Sequence, residues 1–314
     1  MKKVFPLKLA VSCSLAMLLA ACGGGGGGGG SNDTPAANPN AFKVLGNNAV
    51  RLMAGAIQVP QNAASFSSVN PTPFAYLNKD TGQFKQENSL VMTHLGSAGS
   101  NTSTFDFSGD FKEVTGAPGF AQGRWVKGSL GIADNPALAG TYSLNEPLQS
   151  ISYLVFNQIT MALDPHPRTC QNAVATTATV VGYNSLDLSS AYAQIWAGLP
   201  DSATTTGTAT LTATATTVVV NMNLTVTVGN SVVRFNNLQP SNTLGNGIMT
   251  PFTGAVFQQY VGSNYINGTA SIGYDGKSNN LIAVQYQVLI PNPLSAQARV
   301  PTKIYAGTLY FVCS

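Results

Sequence analysis

Residues 207–237 read "GTATLTATATTVVVNMNLTVTVGNSVVRFNN", and this alternation constrains the fold more than any other feature of the chain. Ala209, Leu211, Ala213 and Ala215 share one parity, with Thr210, Thr212, Thr214 and Thr216 between them. Val218, Val220, Met222, Leu224, Val226 and Val228 then take the opposite parity, against mostly Asn and Thr. In a strand, successive side chains point to opposite faces, so each run has one apolar and one wet face. A one-residue change of phase reverses those faces, which predicts a turn at Thr216–Thr217. Gly229-Asn230 predicts a two-residue hairpin turn leading into a third strand. Strands wet on one side belong to an antiparallel sheet rather than a parallel one.

The same reading extends to "QSISYLVFN" around Ser152–Phe156, "TATVVGYNSLDL" over 177–188, "INGTASIGYDG" around 266–274, "LIAVQYQVLI" over 281–290 and "TKIYAGTLYFV" over 302–312. With the three strands above, about eight follow residue 150, the number at which an up-and-down sheet closes into a small filled barrel. "AVRLMAGAIQV", "PFAYLN", "SLVMTHL", "TFDFSG" and "GRWVKGSL" predict a smaller, less regular β region before it. A short helical turn is expected only at "SAYAQIWAGL", near Trp196. The expected class is therefore all-β, with an antiparallel barrel over 151–314 and a β region over 42–150.

The amino terminus carries different information. Lys2, Lys3 and Lys8 form a positive region ahead of the apolar run Leu9–Leu19, which is too short to remain as a membrane-spanning helix. Leu19-Ala20-Ala21-Cys22 resembles the lipobox of bacterial lipoproteins, which implies removal of residues 1–21 and acylation of Cys22. Gly23–Gly30 follow without interruption, and eight residues lacking Cβ carry maximal backbone entropy. Residues 22–41 are thus expected to be a flexible tether, with an end-to-end distance of about 25 Å. Two or three acyl chains hold a protein on a membrane where one would be marginal. Gly23 after the cysteine resembles lipoproteins sorted to the outer membrane.

Of 15 Lys and Arg, three leave with that leader, and 15 − 3 = 12 balances the 12 Asp and Glu. A neutral chain with 9% charged residues offers no electrostatic footprint for nucleic acid. Thr, Ser, Asn and Gly supply its polarity, as suits an exported protein of strands and turns. Once Cys13 is removed and Cys22 acylated, Cys170 and Cys313 remain, and a pair in an oxidising compartment is expected to form a disulfide. The bridge would close 313 − 170 + 1 = 144 residues and staple the last strand.

"GRWVKG" (123–128), the aromatic "SYLVF", the Gly-Thr-Ala strand with its alternating successor, and "NGTASIGYDGKSNNLIAVQYQV" occur in that order. This succession resembles the β-barrel domain of surface lipoproteins similar to transferrin-binding protein B and factor H-binding protein. The resemblance spans roughly residues 120–314 and implies a surface-displayed lipoprotein that binds a partner through barrel loops. Those loops differ among members, so no binding residue is carried over.

The chain has no H-E-x-x-H, G-x-S-x-G, Walker or C-x-x-C motif, and no catalytic residue, cofactor or metal is expected. The glycine run lacks the lysine and following helix of a phosphate loop. His94 and His166 are the only histidines, and His166 in "DPHPR" reads as an exposed loop residue. Trp125 has two readings, a core residue or a surface anchor. Tyr260 and Tyr265, in "FQQYVGSNYINGT", are residue types of adaptable binding loops or the frame of a long hairpin. Two functions remain in view: a binding lipoprotein on the outer membrane that captures a host protein, a carried metal or haem, or a glycan, and a structural lipoprotein that docks an outer-membrane partner.

Overall fold

The computed structural model describes residues 49–59, 62–71, 86–88, 91–94, 97–100, 103–106, 111–132, 140–145, 150–158, 166–183, 199–213, 218–240, 254–277, 280–291 and 302–314. The leader, Cys22, the tether, the Thr216–Thr217 turn, "PFAYLN" and the helical turn near Trp196 lie outside the described residues. Every described element is a strand, and the ladders are antiparallel, as the period-two reading required.

The strands of the first half are β1 (Ala49–Val59), β2 (Asn62–Pro71), β3 (Gln86–Asn88), β4 (Val91–His94), β5 (Ser97–Ser100) and β6 (Ser103–Asp106). They continue with β7 (Phe111–Ala117), β8 (Phe120–Trp125), β9 (Lys127–Ile132), β10 (Gly140–Asn145) and β11 (Ile151–Gln158). Two short strands follow, β12 (Arg168–Cys170) and β13 (Val174–Ala175). Eight longer ones complete the chain: β14 (Ala178–Tyr183), β15 (Ser202–Ala213), β16 (Val218–Val228), β17 (Ser231–Leu238), β18 (Ala255–Val261), β19 (Asn264–Tyr274), β20 (Leu281–Pro291) and β21 (Thr302–Val312).

These eight form an up-and-down barrel. β14, β15, β16 and β17 pair in series, β18, β19, β20 and β21 do likewise, and β21 pairs back onto β14, while β17 and β18 lie side by side with no backbone ladder between them among the described residues. At the junction of β17 with β18, the Gln259 side-chain amide donates to the Asn236 carbonyl at 2.8 Å. The Gly229-Asn230 turn forms as the sequence predicts, with Val228 opposite Ser231 and Gly229 at φ +56°. That left-handed conformation is what a tight hairpin turn demands and what glycine permits.

The inward faces of the eight strands form one apolar cluster that includes Val220, Leu224, Phe235, Phe257, Tyr286 and Phe311. The interior is filled by side chains, as an eight-stranded ring of this kind requires. The Tyr286 and Thr205 hydroxyls meet at 2.6 Å, so these two buried polar groups satisfy each other. Burial pushes the Tyr286 phenol far above its usual range and keeps it neutral.

The strand count matches the expectation of eight, but the membership differs. Ile151–Gln158, expected in the barrel, pairs over most of its length with β1 on one side and β8 on the other, and joins the barrel only at its end, where Asn157 and Gln158 pair with Tyr274 and Gly273 of β19. Ala255–Val261, not among the eight strands expected, is a barrel strand with Ala255 and Phe257 facing inward. A division of the protein at residue 150 would therefore separate hydrogen-bonded neighbours, and the described residues all fall in one compact unit.

The sheet β2-β1-β11-β8-β7 lies against the outside of β20 and β21. Val50, Leu52, Phe120, Leu154 and Phe156 pack there on Leu281, Ala283 and Tyr310. This cover explains a difference in burial pattern. On β16 and the outer half of the barrel, exposure alternates, whereas Leu281–Tyr286 and Lys303–Phe311 are buried on both faces. Strands covered on both sides read as near-continuous apolar runs.

Cys170 and Cys313 are disulfide-bonded, as expected from the sequence. The backbone completes the attachment: Gln171 N donates to Val312 O at 2.8 Å and Ser314 N to Thr169 O at 3.1 Å. At the other end of β21, the Lys303 ammonium is 3% exposed and donates to Leu199 O at 2.5 Å and Asp201 Oδ1 at 2.8 Å. A lysine inside an apolar strand thus ties down residues 199–201, the described segment that leads into β15.

Candidate functional site

Tyr260 and Tyr265 lie on strands, not in a loop. They are directly opposite each other on β18 and β19, two positions from the Gly262-Ser263 turn, where Val261 faces Asn264. Gly262 takes φ +60°, so the turn is a tight two-residue connection like the one after β16. The frame-of-a-hairpin reading therefore holds over the loop reading. The two rings nevertheless form a surface feature, with centroids 4.4 Å apart and planes 34° from parallel.

Tyr260 is 72% exposed, the most exposed of the large hydrophobic residues described. Its place in the strand explains this, because Val256, Gln258 and Tyr260 form the outward parity of β18 while Ala255 and Phe257 point into the barrel. Tyr265 is half-buried, and its hydroxyl donates to Gln258 Oε1 at 3.0 Å. The Asn264 amide donates to Val261 O at 3.2 Å and braces the turn. The pair is held by cross-strand stacking and by neighbouring amides, so Tyr260 can meet a ligand with little rotamer entropy left to lose.

Trp125 is in the core. It is 0% exposed at the end of β8, with its ring 4.6 Å from that of Tyr153 and 6.2 Å from that of Phe111. The surface-anchor reading gives way because the β7-β8 hairpin and β11 enclose it. Gly123, just before it in "GRWVKG", sits against the Tyr153 hydroxyl, where any Cβ would collide with the ring. His166 is exposed, and His94 lies in β4, where its side chain is outside the description. Among the described residues no group of three His, Cys, Asp or Glu side chains could hold a metal ion.

Sequence reading missed a polar seam between the first-half sheet and the barrel. Glu113, on β7, accepts from Arg124 Nε at 3.2 Å and Nη2 at 3.0 Å. It also accepts from Thr177 N at 2.8 Å and Thr177 Oγ1 at 2.6 Å, just ahead of β14. Arg124 is 3% exposed and reaches Ser150 Oγ at 3.4 Å, and Ser150 meets Thr179 of β14 at 2.9 Å. Beside them, Gln122, Ser152, Thr176 and Thr308 form a second buried set. Glu113 takes φ +57°, unusual for a residue with a Cβ, at a register shift between Lys112 and Thr115.

Burial raises the Glu113 pKa, and the bonds from Arg124 and Thr177 more than offset it, so the carboxyl is held below its ordinary value. This is the geometry of a structural joint: each of these polar groups has a partner within the protein, and Arg124 is buried while the Glu113 side chain keeps 32% of its surface in solvent. The signal for it was an arginine inside a strand of a chain with so few charges.

No family model, curated protein or solved structure matches this chain.

Proposed function

We propose that this protein is an outer-membrane lipoprotein, anchored by acylated Cys22, that binds an external ligand on the outside of its barrel at the Tyr260–Tyr265 hairpin. The observation that carries this reading is the stacked tyrosine pair, with one ring 72% exposed, on a barrel whose interior is occupied by its own side chains. A filled barrel has no room for a sizeable guest, so recognition falls to its outside. Exposed, braced aromatic rings are the residues that most often contribute large shares of binding energy. The lipobox-like leader, the glycine tether and the resemblance to transferrin-binding protein B-like surface lipoproteins point the same way.

Two experiments test the address. Cys22→Ser is expected to abolish incorporation of radiolabelled palmitate, and equal labelling of variant and wild type would remove the anchor from the account. Protease treatment of intact cells is expected to cleave the protein, since a binder of external ligands must face outward. Complete protection, with recovery of an outer-membrane protein from envelope extract by pull-down, would replace this reading with a structural docking role.

A further inference from the structure

On the binding reading above, we infer that the ligand is a neutral glycan chain, laid across the outer wall of β15 to β18 and stacked on Tyr260. The argument starts from what this wall presents. Threonines occupy every second position from Thr204 to Thr212 on the outward side of β15, and Asn and Thr fill most outward positions of β16. Across all four strands the only charged residue is Arg234, on β17 opposite Thr225.

Two ligand classes fit this surface poorly. A polyanion, whether nucleic acid or a sulfated or uronate-bearing polymer, is held by arrays of Lys and Arg, and a single arginine is no array. A folded protein partner seeks a contiguous apolar centre with a polar rim. Here the exposed valines do not form one patch: Val232 lies opposite Thr227, eight positions along β16 from Val219, which is roughly 26 Å at the rise of a strand. Rows of Thr and Asn separate them. Val256, 60% exposed on β18, is separated from Tyr260 by Gln258.

A neutral sugar chain has the complementary chemistry. Each ring offers an apolar CH face that an exposed aromatic can cover, and a rim of hydroxyls that both donate and accept. Side-chain amides and hydroxyls answer both roles, because an amide carries two donors and an acceptor. Gln258, which already accepts from the Tyr265 hydroxyl, and Asn236 stand on the outward side of the two strands that meet here. An extended chain also suits a wall better than a pocket, since repeated weak contacts along several strands add through multivalency.

The test is affinity electrophoresis of the mature protein through gels containing a dextran, a mannan, a β-glucan or a galactan, with heparin and polygalacturonate as anionic gels. At least one neutral gel is expected to retard the wild type. Tyr260→Phe should keep that retardation, Tyr260→Ala should weaken it about tenfold with its melting temperature unchanged, and Arg234→Ala should change it by less than about twofold. Passage of the wild type through all four neutral gels, or retardation by the anionic gels alone with loss in Arg234→Ala, would overturn the inference. If a pull-down instead recovers a protein that Tyr260→Ala no longer holds, the hairpin remains the binding site and the glycan assignment falls.

Discussion

Leu224→Asp is expected to leave the protein unfolded at room temperature. Leu224 is 1% exposed, in the middle of β16, and its neighbours are the apolar side chains of the barrel interior. An aspartate there either buries an unpaired carboxylate or takes up a proton, and either outcome adds to the loss of the leucine's own packing. The combined cost is several kcal/mol or more, against a total stability of about 5–15 kcal/mol for a protein of ordinary stability. Val220→Asp, at 0% exposure on the same face, should behave alike. The control is one residue away: Asn223 is exposed, and its Oδ1 accepts from Asn237 N at 2.9 Å. Asn223→Asp keeps that acceptor and is expected to move stability by no more than about 0.5 kcal/mol. Circular dichroism melting curves of the three variants check the assignment of faces. A cooperative transition at the wild-type temperature in Leu224→Asp would show that the faces are reversed.

The second large effect is expected at the joint between the first-half sheet and the barrel. Glu113→Ala removes the carboxylate partner of an arginine that is 3% exposed and that keeps its contact with Ser150, and because the Glu113 side chain is itself 32% exposed the loss is about 2–3 kcal/mol, less than for a fully buried charge left alone. The pair itself need not be strongly stabilising relative to apolar residues, so Glu113→Leu combined with Arg124→Met should recover most of that loss. The pH dependence has a definite sign. The folded-state pKa of Glu113 lies below its ordinary value of 4.5, so the stability it contributes is present above that value and is lost as pH falls through the folded pKa. Urea unfolding of wild type and Glu113→Ala between pH 7 and pH 3 should show a gap that is constant down to about pH 4.5 and narrows below it. A gap that widens with acid would contradict the joint.

The sequence made one half of the barrel wall readable and obscured the other. From Ser202 to Leu238 the outward face is wet, and alternation alone locates three strands and one of their turns. Ala255–Val261 did not stand out as a strand because Gln259 interrupts the inward parity, and its amide bonds across the β17 junction. Ile151–Gln158 was assigned to the barrel because periodicity reports that a strand exists and not which strand it pairs with. The apolar runs Leu281–Val284 of β20 and Leu309–Val312 of β21 are how burial on both faces looks in sequence, but Gln285, Gln287, Lys303 and Thr308 interrupt the strands and mask it. The polar seam was hidden for a different reason. Thr176, Thr179 and Thr308 are buried joint residues, yet in sequence they are the same letters as the outward threonines of β15. Of the candidate site, the tyrosine pair was visible as residue types, but its rigidity comes from a two-residue turn that places the rings opposite each other.

The central claim, that the barrel interior supports the fold while its outer hairpin does the recognition, makes opposite demands on two sets of residues. The most direct measurement is a parallel determination of melting temperature and ligand capture for the Tyr260→Ala, Tyr265→Ala double variant, with captures made from host serum, from envelope extract and on the neutral polysaccharides. The account predicts a melting temperature close to that of the wild type and a loss of capture of tenfold or more. Collapse of stability in the double variant, or undiminished capture by a folded one, would contradict it.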